Sequence, residues 1–459
     1  MSVPRALRWL AIALCAQLLL ACALMVMLSA SGHPLPDSLA RTSIGFVPKF
    51  LRATGDDSWG LMVIGYRSAQ DCPDCPLYDM FFKDHVKFQY PPTSLLIYDL
   101  FPRQMLAPDT CVPIALPGER ISKFQLRWDM QRTLTLIARL AVAATILATL
   151  LILLHALREE SGTPIPRSQV ILCALLVGIL GAAFYPLSRG YALGQIQVLI
   201  DALVAIGLLA YYKKWKSLSG VLFGLCCLIK PQLGILLLWA ALRREKQFAL
   251  AFGTVVAIAL SLSIARFRLD DYFDYLRVLQ VLSRHGEAYW PNQSVNGLLN
   301  RLLGNGSALE FDMTGFPPYS PLIYSLSLLS SIGMIAIAMW PRKSMTSNVP
   351  IDLCIAIIAA TIASPIAWEH HYGVLLPVFA VALIATFRYR PFGRYSWIIL
   401  VSSYLAVSSI VIAPWLFFRN AVFGIAASHI FFGGLMLFIV LLRCHRSMPK
   451  PSATSTADP

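Results

Sequence analysis

The chain has 459 residues, of which 57% are hydrophobic and only 14% charged. A soluble protein of that length divides into two or three domains with charged surfaces, and this composition lacks the polar surface to wet even one. The formal net charge of +14 reports membrane topology rather than nucleic-acid binding, because the basic residues cluster at the ends of apolar runs.

The apolar runs come first in chain order. They cover Trp9–Leu28, Leu134–Leu157, Val170–Leu187, Ala192–Tyr212, Leu218–Leu242, Phe248–Ala265, Leu322–Trp340, Ile351–Ala363, Val374–Phe387, Trp397–Pro414 and Val422–Leu442. Met1–Gly32 has the basic start and apolar core of a secretory signal. Its Leu19-Leu20-Ala21-Cys22 stretch loosely matches a lipoprotein cleavage site, but the apolar run continues past Cys22, so we read an uncleaved first helix. Basic clusters orient the runs: Arg5/Arg8, Arg158/Arg167, Lys213/Lys214/Lys216, Arg243/Arg244/Lys246, Arg342/Lys343, Arg388/Arg390/Arg394 and Arg443/Arg446/Lys450. All become cytoplasmic if Leu218–Leu242 is a hairpin of two short arms. That reading gives about twelve crossings with both termini inside. Read as one ordinary crossing, the segment breaks the charge rule from there onward.

Seventeen of the 24 acids fall in two segments, 31–131 and 268–317. These are the expected extracytoplasmic loops. The expected organisation is a single transmembrane domain over 1–445 and a disordered cytoplasmic tail over 446–459. Seven of the ten cysteines lie in or beside apolar runs, as small apolar groups. Cys72 and Cys75 in the first loop read as a local disulfide in an oxidising compartment. Free thiols, or a metal site completed by Cys111, His85 or acids, are the alternatives.

Six motifs carry polar chemistry, most with a bland reading beside the functional one. Gly55-Asp56-Asp57-Ser58-Trp59 offers two carboxylates, or a helix N-cap with a solvated neighbour. Phe88-Gln89-Tyr90-Pro91-Pro92 fixes an extended turn before a partly buried helix. Gly190–Gln197 opens the fourth crossing, which also contains Asp201; its polar groups line a cavity or bond between helices. Leu228-Ile229-Lys230-Pro231-Gln232 puts an ammonium and a helix breaker mid-run. There Lys230 points at a phosphate from a hairpin tip, or snorkels to the interface. Ala288–Gly297 reads as a helix start after Pro291, with Asn292 and Asn296 on one face. Its amides and aromatics suit a sugar, or serve capping and anchoring. Ser364–Tyr372 contains Glu369, His370 and His371; the histidines point about 100° apart on a helix and cannot easily share a metal. Hydrogen bonding to a phosphate or sugar suits them better. Under the charge-derived topology all of these fall at the outer face.

Together the motifs resemble those of glycosyltransferase family 87. The resemblance rests on Asp56/Asp57, Phe88–Pro92, Gly194-Gln195, Leu228–Pro231, Asn292–Leu298 and Ser364–His371, in that order, over roughly residues 1–440. The chain departs from the family pattern in the twelve-position separation of Asp57 from Ala69, in the Cys72-Pro-Asp-Cys75 stretch, and in Gln197 where an Asn is common. The resemblance implies an all-α polytopic membrane protein of the GT-C type. It implies an integral membrane hexosyltransferase that moves a mannose-like sugar, with inversion, from a polyprenyl-phosphate donor to a glycolipid or glycan acceptor. The expected place is the plasma (inner) membrane, with the site facing the periplasm or exterior. Asp57 is the expected base, with Asp56 next. Lys230 and His371 are the expected phosphate ligands, Gln195, Asn292 and Gln293 are expected to position sugar or acceptor, and His370 and Tyr90 are further expected substrate-binding residues. No metal and no cofactor is required, since a lipid phosphate is already a stabilised leaving group. The rival functions are a transporter or flippase of lipid-linked sugars, suited by Lys230 and Asp201, and a non-catalytic assembly subunit.

Overall fold

The computed structural model describes residues 2–32, 34–83, 87–106, 126–312, 315–340, 350–410 and 421–447. His85, Cys111, Arg342, Lys343, Lys450 and the tail from Met448 lie outside the described residues, so the metal alternative and the tail expectation are not addressed by it. Among the described residues every regular element is a helix. It begins with α1 (Val3–Ala30), and the first loop carries α2 (Leu35–Ala40), α3 (Trp59–Asp71), α4 (Leu77–Lys83) and α5 (Pro92–Leu95). The next crossings are α6 (Trp128–Ser161), α7 (Arg167–Ala182) with the short α8 (Tyr185–Leu193), and α9 (Gln197–Tyr212). Then come α10 (Lys216–Ile229), α11 (Ile235–Leu242) and α12 (Lys246–Arg266). The second loop holds α13 (Asp270–His285) and α14 (Val295–Leu302). The chain closes with α15 (Pro321–Met339), α16 (Ile351–Ile362), α17 (Leu375–Tyr389), α18 (Ser396–Ser408), α19 (Ala421–Ala426) and α20 (His429–Arg446).

Among the described residues six helices are long and apolar enough to cross a bilayer, or seven if the bent pair α7 and α8 is one span. Shorter apolar helices accompany them, α10 and α16 among them. Among the described residues each apolar run is built on helix, and the protein is a multi-pass membrane protein.

The Leu218–Leu242 run is broken where its chemistry demands. Pro231 has no N–H to continue α10, and the preceding Lys230 takes an extended conformation (φ −127°, ψ 91°). A short 3-10 turn over Pro231–Gly234 leads into α11. Both flanks then meet at one end of the bundle. Lys216 at the start of α10 pairs with Glu245 after α11 at 2.6 Å, and Tyr211 at the end of α9 donates to the same carboxylate at 3.1 Å. Small residues let α10 and α12 run side by side, since Gly220 abuts the Phe248 carbonyl and Gly224 the Phe252 carbonyl. The hairpin is present, and its tip meets the first loop, where Thr93 Oγ1 donates to the Leu228 carbonyl at 2.7 Å.

The same basic end holds a buried ion cluster. Arg243 donates to Asp352 at 2.6 Å and to the Met339 and Trp340 carbonyls at 3.2 and 3.0 Å. This ties α11, α15 and α16 together. Within the bundle the buried amide of Gln17 donates to the Ala183 carbonyl at 2.8 Å and accepts from Tyr404 at 3.1 Å. One polar side chain thereby joins α1, the break after α7, and α18.

Three local expectations are corrected. The Gly190–Gln197 stretch does not open the fourth crossing. Pro186 starts a separate helix, α8, bent 55° from α7, and Gly194 ends it at φ +75°. The second-loop helix does not begin after Pro291. Ser294 is its N-cap, accepting from the Gly297 N–H at 3.1 Å. Asn292 therefore precedes the helix and shares no helical face with Asn296. Neither Asp56 nor Asp57 is an N-cap, since Ser58 occupies that position of α3. The Cys72–Cys75 disulfide is present, with Cα atoms 5.4 Å apart.

Candidate active site

The position of Asp57 is set by main-chain stitching. The segment Thr54–Ser58 lies along the end of α8. Gly55 N donates to the Ala192 carbonyl at 3.3 Å, Asp57 N to Leu193 at 3.0 Å and Ser58 N to Gly194 at 3.3 Å. Ser58 Oγ closes the junction by accepting from the Ile196 N–H at 2.6 Å. So close an approach requires two glycines. A Cβ on Gly194 would collide with the Gly55 carbonyl, and a Cβ on Gly55 with the Leu193 carbonyl. The Gly-Asp-Asp-Ser and Gly-Gln motifs, some 140 residues apart, are thus two sides of one junction.

The junction delivers the Asp57 carboxylate to Gln195, whose Nε2 donates to Asp57 Oδ2 at 2.5 Å. Tyr90 donates to Gln195 Oε1 at 3.4 Å. The Asp57 side chain is solvent-exposed yet crowded by surrounding protein. Desolvation holds its carboxyl above the usual carboxylate range, opposed by the Gln195 hydrogen bond and the Arg189 charge, and assisted by Asp56. Burial likewise pushes the Tyr90 phenol up, so it stays a neutral donor.

A second layer comes from α8 and the 3-10 turn Glu369–Val374. Glu369 is buried, with Oε1 receiving Arg189 Nε at 2.7 Å and Oε2 receiving the Tyr185 hydroxyl at 2.6 Å. His370 and His371 follow it, ring centroids 4.8 Å apart and nearly perpendicular. Arg189 and Lys230 are the charged neighbours of His370. Lys230 stands at the hairpin tip with its ammonium buried and without a hydrogen-bond partner, and His370 Nδ1 is likewise unpartnered. Asp201 is wholly buried behind them. Its Oδ1 receives Gln197 at 2.7 Å and its Oδ2 packs against Gly373. Among the described residues no group of three His, Cys, Asp or Glu side chains converges as a metal site.

The structure thus brings together Asp57, Gln195 and Tyr90, and beside them His370, His371 and Lys230. Asp56 is exposed next to Asp57. It does not bring Asn292 and Gln293 into the recess. Both are fully buried. Asn292 joins the Glu287 and Pro365 carbonyls to the Ala367 N–H. Gln293 binds the Trp290 and Ala427 carbonyls and the Phe431 N–H. Their amides staple the second loop to the Ser364–Tyr372 segment and to α20, which is the bland reading of that motif. The aromatic residues beside them remain available. Tyr289, Phe311 and Trp368 form a wall with centroid spacings of 5.8 and 5.9 Å. It is backed by Lys87, which pairs with Glu287 at 2.9 Å and lies 4.5 Å from the Phe311 and Phe316 rings.

Sequence reasoning missed Arg189 and Tyr185, and named Glu369 only as a neighbour of the histidine pair. One signal was present: Arg189 is a lone cation just past an apolar run and one residue before the Gly190 motif.

The sequence model for glycosyltransferase family 87 matches residues 88–365. Two curated relatives carry the name polyprenol-phosphate-mannose-dependent alpha-(1-2)-phosphatidylinositol mannoside mannosyltransferase. The one from Mycolicibacterium smegmatis is 26% identical over 56% of this chain and 57% of its own length. The one from Mycobacterium tuberculosis is 24% identical over 67% of this chain and 64% of its own length. A third, the M. tuberculosis pentamannoside mannosyltransferase, is 29% identical over 50% of this chain and 49% of its own. The chain therefore spans about half to two thirds of the relatives it matches. No solved structure matches it. The family match begins after Asp57 and ends before His370, so the roles of those residues rest on geometry.

Proposed function

The chain belongs to glycosyltransferase family 87, and from that premise we propose that it transfers a hexose from a polyprenyl-phosphate donor to a membrane glycolipid or glycan. The named relatives make mannose the leading sugar and a phosphatidylinositol mannoside the leading acceptor class. The observation that carries the reading is an accessible, hydrogen-bonded carboxylate, Asp57, with the cation Arg189 as its charged neighbour, and Arg189 and Lys230 in turn as charged neighbours of the His370 imidazole.

In the proposed step the acceptor hydroxyl oxygen forms a bond to the anomeric carbon. The bond from that carbon to the phosphate oxygen breaks on the opposite face, and its electron pair leaves with the polyprenyl phosphate. The hydroxyl proton passes to Asp57. A carboxylate lifted above its ordinary pKa is the better proton acceptor for this task. Gln195 fixes its orientation, and Tyr90 fixes Gln195. Lys230 and His370 place unpartnered polar atoms where a phosphate supplies partners, and His371 lies beside them. The aromatic wall of Tyr289, Phe311 and Trp368 suits the C–H face of an acceptor sugar. The recess lies at the end of the bundle opposite the basic clusters, which faces it outward.

The test is Asp57→Asn in the purified full chain, given a labelled polyprenyl-phosphate sugar and membrane acceptors. Turnover should fall roughly a hundred- to ten-thousandfold, with apparent donor affinity nearly unchanged. Asp56→Asn should lose less. Near-normal turnover by Asp57→Asn removes the base assignment. Glu369 is a poor substitute, because both its oxygens are already committed.

A further inference from the structure

We propose that Arg189 is a direct ligand of the donor phosphate, forming a two-cation clamp with Lys230, the other charged neighbour of His370. This deepens the transfer reading and rests on it.

The argument starts from the five N–H donors of a guanidinium. Arg189 spends Nε on Glu369 at 2.7 Å. Among the described residues its two terminal amino groups make no hydrogen bond, and the side chain is 29% exposed. Glu369 is only 2% exposed and is locked from the other side by Tyr185. The buried carboxylate therefore fixes the guanidinium through its inner edge and leaves the outer edge open. Phe46 lies beneath the plane, 5.9 Å from Cζ. An open planar edge of this kind matches two oxygens of one phosphate, and Arg does this better than Lys.

Location points the same way. Arg189 is a charged neighbour both of Asp57, the proposed base, and of His370, which also neighbours Lys230. One cation alone leaves most of the charge on a departing phosphate monoester uncompensated, and a clamp shares it. Lys230 is enclosed, whereas Arg189 is open to the recess, so Arg189 is the group that an arriving lipid phosphate meets first.

The experiment measures direct binding to the full chain in lipid nanodiscs. The probes are a short polyprenyl monophosphate, the matching polyprenol without phosphate, and inorganic phosphate. Wild-type protein should prefer the monophosphate to the alcohol, and inorganic phosphate should displace it only at much higher concentration. Arg189→Gln should bind the monophosphate roughly ten- to a hundredfold more weakly, as expected for one charge-assisted contact, with the alcohol unchanged. Arg189→Lys should recover part of the loss. Wild-type affinity in Arg189→Gln overturns the assignment. So does equal weakening toward both lipids with lowered thermal stability in both variants, since that marks a packing role. Wild-type protein that does not discriminate phosphate from alcohol, or binds inorganic phosphate as well as the lipid, overturns the lipid-phosphate donor class itself.

Discussion

Asp57 is held between opposing influences. Desolvation favours its neutral form, while the Gln195 hydrogen bond and the Arg189 charge favour the carboxylate. Desolvation is the largest of these, so the carboxyl titrates above the ordinary carboxylate range. A base works only when ionised. Activity should therefore rise with pH through an acid limb displaced upward from about 3.9. Gln195→Leu removes a stabiliser of the charged form and should move that limb to still higher pH. The dependence of kcat/KM on pH reads this directly, and an acid limb that stays put in Gln195→Leu detaches Gln195 from the base. Asn292 and Gln293 mark the contrast at the same scale. Their amides are saturated by main-chain partners, so they hold the loops that carry the chemistry and have no donor left for a substrate.

At the scale of elements, the site depends on how closely the first loop approaches the end of α8. Gly194→Ala puts a methyl group into the Gly55 carbonyl and a side chain at φ +75°. The left-handed conformation alone costs about 1–2 kcal/mol. The larger consequence is displacement of the Asp57 segment, and a shift of about 1 Å in a reacting group can cost about a hundredfold in rate. Gly194→Ala should therefore lose turnover far more than it loses membrane insertion. Gly253→Ala on α12, where an added Cβ meets open space, should match wild type in both. Equal turnover in the two variants would show that the junction does not position the base. The hairpin follows the same logic. Pro231 breaks the run so that Lys230 ends at a tip tied to the first loop, instead of being carried past it on a continuous helix.

For the whole molecule, charge separates the two ends of the bundle. One end gathers the Lys216–Glu245 pair and the Arg243–Asp352 cluster, and the other carries the two acidic loops and the recess. If the positive end is cytoplasmic, a reporter that is active only outside the cytoplasm should be silent when fused after Lys450. A protease site inserted after Gly304 in the second loop should be cut from outside in intact spheroplasts. A C-terminal reporter that is active, or an insertion protected until the cells are lysed, reverses the orientation and places the transfer chemistry on the cytoplasmic face.

The membrane class, the apolar helices, the hairpin and the Cys72–Cys75 bridge were legible in the sequence, because each depends on local composition: apolar length, basic flanks, a proline, a short cysteine spacing. The motifs also named Asp57, Gln195, Lys230 and the histidine pair, since a polar group beside an apolar run is conspicuous wherever it falls. Which of these share a recess was not legible. That depends on backbone hydrogen bonds between Thr54–Ser58 and Tyr191–Ile196, made across more than a hundred residues by glycines whose spacing in sequence says nothing of their approach in space. The same holds for Arg189. In sequence it is one cation among 38 basic residues. It acquires a role only when folding places Glu369 on its inner edge and makes it a charged neighbour of Asp57. Asn292 and Gln293 moved the other way, because burial, which only packing decides, turned two plausible sugar ligands into structural staples.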